Sequence, residues 1–151
     1  MVAPLLLANG ADHNAINVDG ATPLHVVCMG KNDGYYRLAN WLIEASQPPN
    51  KPLLMNVRDK RGNAPLHLAL DTADPMLAEL LQRHGAELHL PNDELYTPLH
   101  GICKRNSVGH VGESLLGVCS EKLETLRCVD LRDKYDNTPL HLALRRTATR
   151  R

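Results

Sequence analysis

The chain has 151 residues, 17 basic and 17 acidic side chains, eight histidines, four cysteines and no phenylalanine. That length suits one ordinary globular domain, and an apolar share of 43% excludes wholesale disorder. A formal charge of zero offers nothing at whole-chain level to nucleic acid or an anionic membrane. One Trp and four Tyr are the only aromatic residues, so the core has to be aliphatic. Eight histidines in so neutral a chain demand an explanation in metal binding, catalysis or architecture.

In chain order, the first predicted element is a short helix over Val2 to Ala8. The run lacks a basic leader and Asn9-Gly10 ends it, so it is too brief for a signal sequence or a bilayer span. Asn17 opens a turn with Gly20 at its tight position, and Thr22-Pro23-Leu24-His25 starts a helix running to Met29. A second helix follows over Tyr35 to Ala45, and Pro48, Pro49 and Pro52 then enforce a protruding loop. Asp59 and Gly62 repeat the turn before Ala64-Pro65-Leu66-His67, with helices over Ala64 to Leu70 and Pro75 to Arg83. Asn92 precedes Thr97-Pro98-Leu99-His100, with helices over Thr97 to Lys104 and about Val111 to Arg127. Asp133 precedes Thr138-Pro139-Leu140-His141 and a helix to Arg146. In the last two copies Leu95 and Asp136 stand where glycine does in the others.

The motif has a physical reading. Thr at the N-cap accepts from a free helix N–H, and Pro at the first helical position sacrifices no hydrogen bond and has its φ preset. Leu faces the neighbouring layer, and His can reach backbone on the neighbouring turn. Ala64 lacks the capping hydroxyl, so its helix should start less firmly. The copies are 42, 33 and 41 residues apart, so long and short units alternate. Long units read His25-Val-Val-Cys28 and His100-Gly-Ile-Cys103, whereas short ones read His67-Leu-Ala-Leu70 and His141-Leu-Ala-Leu144.

Motif, preceding turn and the Gly-Ala pairs Gly10-Ala11 and Gly85-Ala86 together resemble the ankyrin-repeat family, whose signature is T-P-L-H-x-A at a period near 33. The resemblance covers nearly the whole chain. It implies an all-α solenoid of helix-turn-helix units joined by β-hairpin-like turns, with about four units in one domain. The divisions are 1–16 (partial), 17–58 (long), 59–91 (short), 92–132 (long) and 133–151 (partial). Both ends read as cut inside a repeat, without a polar capping unit, as in a fragment of a longer array. The resemblance also implies that the motif histidine is structural.

Chemistry competes poorly with that reading. His25-x-x-Cys28 and His100-x-x-Cys103 could be metal or redox pairs, but Cys28 and Cys103 occupy the position Leu70 and Leu144 take elsewhere, and free Cys behaves as a small core hydrophobe. Cys119 and Cys128 lie close enough to meet only if a helix ends between them. No P-loop, GxGxxG or HExxH is present, and no triad spacing involves His13, His84, His89 or His110. Neither enzyme activity nor a cofactor or metal is expected. Cysteine usage favours an intracellular location, cytoplasmic or nuclear.

By the resemblance, the function is that of a protein-binding scaffold whose concave face carries the partner. The alternative is the ankyrin part of a larger regulatory protein, such as a ubiquitin-ligase adaptor, a channel or a transcription-factor inhibitor. Carried over by register, the tips are Val18, Asp19 and Ala21; Lys60, Arg61 and Asn63; Asp93, Glu94 and Tyr96; and Lys134, Tyr135 and Asn137. First-helix ends add Met29, Asp71, Lys104, Arg105, Arg145 and Arg146. Tyr96 and Tyr135 would be exposed anchors. Lys104-Arg105 and Arg145-Arg146 would form one basic patch favouring an acidic segment of a partner protein. No small-molecule substrate, nucleic acid or membrane is expected as a partner. Arg145, Arg146, Arg150 and Arg151 also give a mildly acidic body a basic end.

Overall fold

A computed structural model describes residues 2–31, 34–48, 50–72, 74–105 and 128–148, the last three of these by backbone alone. Its helices are α1 (Ala3–Ala8), α2 (Pro23–Cys28), α3 (Gly34–Ala45), α4 (Pro65–Asp71), α5 (Pro75–Arg83), α6 (Pro98–Lys104) and α7 (Pro139–Ala148). The described residues contain no strand, and no helix among them is long and apolar enough to cross a membrane. The helix expected over 111–127, with His110 and Cys119, lies outside the described residues.

Each first helix begins where proline follows an extended residue: Thr22 has ψ 167°, Ala64 161° and Thr97 160°. Helices α2, α4, α6 and α7 pack in succession as an inner layer, while α3 and α5 pack behind α2 and α4 and against each other. Between the layers lies an aliphatic core in which Leu24, Leu66, Leu77 and Leu81 are wholly buried. Burial of this kind stabilises by about 1.5–3 kcal/mol per side chain. Ala39, Ala69 and Ala78 contribute small buried side chains to the same core.

The long unit differs from the short one mainly in its outer helix, 12 residues in α3 against 9 in α5, and in the proline-bearing loop that follows. That loop is pinned to the start of the chain. His13 Nε2 lies 2.8 Å from the Lys51 carbonyl oxygen, and Asn14 bonds both the Pro52 carbonyl and the Leu54 N–H. The two Gly-Ala pairs end α1 and α5 in the same way. Gly10 and Gly85 take φ of 88° and 99°, and the Ala11 and Ala86 N–H groups donate back to the carbonyls of Leu6 and Leu81. His84, at the end of α5, places Nδ1 2.9 Å from the Leu80 carbonyl oxygen.

Candidate functional site

The turns are built by their first residue. Asn17 Oδ1 accepts from the N–H groups of Asp19 and Ala21, Asp59 from Arg61 and Asn63, Asn92 from Glu94 and Tyr96, and Asp133 from Tyr135 and Asn137. Each turn then needs a left-handed residue in fourth place. Gly20 (φ 72°) and Gly62 (φ 75°) supply it freely, whereas Leu95 (57°) and Asp136 (65°) adopt it against steric preference. Burial raises the Asp133 pKa, but bonds from Asn137 and Tyr135 outweigh it and hold the carboxyl below its ordinary value.

Successive turns are joined in one register. The Asp19, Arg61 and Glu94 carbonyls accept from the N–H groups of Lys60, Asp93 and Lys134 at 2.9, 3.1 and 3.0 Å. The motif histidines add a second tie. His25, His67 and His100 donate from Nε2 to the carbonyl oxygens of Asn63, Tyr96 and Asn137 at 3.0, 3.0 and 3.1 Å. Their Nδ1 atoms accept from the N–H groups of Thr22, Ala64 and Thr97, which sets the neutral tautomer with hydrogen on Nε2. Burial lowers the His67 pKa. Cys28 is buried, and burial followed by the Asp74 charge pushes its thiol far up; burial also raises Cys103. Among the described residues no cluster of His, Cys, Asp or Glu is placed to hold a metal.

On this frame the structure brings Asp19, Met29, Lys60, Arg61 and Asn63 around one recess of about 340 Å³, with Asn17, Ala21, Asp59 and Leu68 completing the wall. Leu68 escaped the sequence reading, although its place one residue after the motif histidine was available as a signal. The next recess along involves Asn63, Asp71 and Tyr96 but holds only about 20 Å³, roughly one water molecule. Tyr96 fills it. Its ring is half-buried, 5.3 Å from the His100 ring, and burial pushes its hydroxyl up to about 12. It is therefore not the exposed anchor expected, because it packs into the interval between its own unit and the one before.

Tyr135 is 72% exposed with the Lys134 ammonium 5.0 Å above its ring. Lys134 also bonds Glu94 at 2.6 Å, and Asp93 pairs with Arg58 at 3.3 Å. Asn137 is half-buried and its side chain bonds back to Asp133. Two members of the expected basic patch make contacts within their own part of the face. Arg105 reaches back to Asp71 at 3.8 Å, and Lys104 lies 5.9 Å from the Tyr96 ring centre. Arg145 is exposed on α7, and the Arg146 side chain lies outside the described residues.

Comparison with known proteins yields one matching family, described as ankyrin repeats in three copies, over residues 1–92. The chain is 40% identical over 77 residues to the potassium channel SKOR of Arabidopsis thaliana, covering 51% of this chain and 8% of that one. It is 28% identical over 141 residues to alpha-latrotoxin-Lg1a of Latrodectus geometricus, covering 93% of this chain and 9% of the toxin. It is 31% identical over 90 residues to the transient receptor potential cation channel subfamily A member 1 of Drosophila melanogaster, covering 60% and 7% respectively. The chain thus spans less than a tenth of each of these relatives.

Proposed function

The chain belongs to the ankyrin-repeat family, and from that premise we propose that it binds a partner protein through its turn tips and the adjoining ends of its first helices. The family is a non-enzymatic module that generally mediates protein–protein interaction. The observation that supports the reading is the ladder of turns. Backbone and histidine bonds hold the frame, so the exposed side chains of Asp19, Lys60, Arg61, Glu94 and Tyr135 project from a surface already ordered before binding. Preorganisation of this kind removes much of the entropic cost of association. Capture of partners from cell extract by the wild-type protein and by a variant carrying D19K, K60E, E94K and Y135A tests it. Preys should be enriched on the wild type and lost from the variant at equal helicity. A prey set indifferent to the four changes overturns the proposal.

A second reading places the repeats inside a larger regulatory protein, in keeping with a chain that spans 8%, 9% and 7% of relatives that include two channels and a toxin. There the partner face would couple a ligand to activity elsewhere. Sequencing the transcript beyond both termini decides this: an adjoining effector segment supports it, and stop codons at both ends of the array overturn it.

A further inference from the structure

We propose that the recess between the first and second turns is the specificity pocket of this face, and that it takes an aliphatic side chain of an extended partner segment flanked by carboxylates. This rests on the interaction reading above and names the partner chemistry for it.

Space is the first argument. Four equivalent wall positions can be compared between the two recesses: the fifth residues of the two turns, the residue after the second unit's motif histidine, and the residue four after the first unit's. In the first recess they are Ala21, Asn63, Leu68 and Met29; in the second they are Asn63, Tyr96, Gly101 and Asp71. Every change matters. Gly101 presents no side chain where the first recess has Leu68, and the Tyr96 ring lies beside it: a Cβ on Gly101 would be in ordinary contact, 3.8 Å from Tyr96 Cε1. Asp71 is engaged by Arg105. The second recess is therefore small and bounded by Tyr96 and Asp71, and the first is larger, with Ala21, Met29 and Leu68 as its apolar wall among polar and charged tip residues. Its 340 Å³ lies at the low end of ligand clefts, and Met29 stays half-exposed beside it at 50%.

Charge is the second argument. Lys60 and Arg61 are exposed at the rim, and among the described residues neither has a carboxylate within ion-pair distance. Other cations near the tips are engaged: Lys134 by Glu94, Arg58 by Asp93 and Arg105 by Asp71. Of the two rim carboxylates, Asp59 accepts from the N–H groups of Arg61 and Asn63. Asp59 keeps its charge but is only half-exposed, so Asp19 is the one fully exposed carboxylate on the rim and the unpaired Lys60 and Arg61 are the positions where acidic residues of a bound segment are favoured. The backbone bond from Lys60 N–H to the Asp19 carbonyl keeps the two rims at a set separation.

The test is a random 12-residue peptide library displayed on phage and selected on the full 151-residue chain. Enriched peptides are then synthesised and measured by fluorescence anisotropy at low and high salt. Enriched sequences should carry Leu, Ile, Val or Met within two positions of Asp or Glu, with binding weakened by salt. The double variant K60E/R61E and the single variant M29D each change exposed residues and should each weaken binding at least tenfold, while R37E on the outer helix leaves it unchanged. Absence of enrichment, enriched peptides without that combination, or undiminished binding to both recess variants overturns the proposal. Failure here with tip-dependent partner capture intact moves the pocket along the face. Failure of capture as well removes the interaction reading itself.

Discussion

Ala64→Thr should stabilise the fold, because it restores the one hydroxyl missing from the repeated cap. Ala64 is 1% exposed and has φ −81° and ψ 161°, close to the −83° and 167° of Thr22. Its N–H already donates to His67 Nδ1 at 3.1 Å, as Thr22 does to His25. In the three threonine copies the hydroxyl lies 2.8–2.9 Å from the histidine Nδ1 and accepts from its N–H at 3.4–3.5 Å. Caps are worth about 0.5–2 kcal/mol, and the long N–H contact puts the gain near the lower half, about 1 kcal/mol. For a domain of this size that is roughly 2–4 °C in Tm. Urea unfolding followed by circular dichroism reads it as a raised midpoint at constant slope. Ala64→Ser serves as control, since it adds the hydroxyl without the methyl group. If both variants left the midpoint unchanged or lowered it, the claim that the hydroxyl stabilises this cap would be refuted.

Gly62→Ala should cost well over the roughly 1 kcal/mol that a left-handed alanine costs, because its Cβ would lie 2.7 Å from the Asp93 backbone nitrogen and break the bond to Arg61. Gly85→Ala meets nothing within 4 Å, so chemical denaturation that ranks the two equally would contradict this account. Leu66→Ala removes a wholly buried side chain and should cost about 2–5 kcal/mol; a change below 1 kcal/mol in urea would mean the site collapses freely. Burial lowers the His67 pKa from 6.5, so the unfolded chain binds the proton more readily. That contribution to stability is full above about 6.5 and is lost as pH falls through the lower folded value. An NMR titration placing His67 at or above 6.5 would contradict it.

The fold was legible because its punctuation is chemical. Thr-Pro pairs begin α2, α6 and α7 at their first residue, and α5 spans the Pro75–Arg83 interval predicted for it. Asn17, Asp59, Asn92 and Asp133 open turns because a short side-chain oxygen can take two backbone N–H groups. Leu95 and Asp136 broke the glycine rule by sequence, yet they adopt the same left-handed conformation. There the turn is held by the bonds to its first residue and by the ladder bonds of Asp93 and Lys134. The histidines follow the same logic, since a ring with one acceptor and one donor can bind its own helix start and the next turn together.

The site was legible only as a set of tip positions. Register tells which residues project from a turn, but whether a side chain is free depends on what stands opposite it one unit away. Arg105 and Asp71 are 34 residues apart and meet. Lys134 and Glu94 are 40 apart and meet. Lys60 and Arg61 share one tip and pair with no carboxylate, while on the turn after them Asp93 pairs with Arg58 and Glu94 with Lys134. Tyr96 is less available than its tip position implies for the same reason: it is half-buried and lines the small recess together with Asn63, His67 and Asp71 of the unit before. Availability for a partner is thus a property of neighbouring pairs of units. Substitutions at the tips and first-helix ends make those pairs unequal, so a face built from near-identical turns carries an open recess beside a much smaller one.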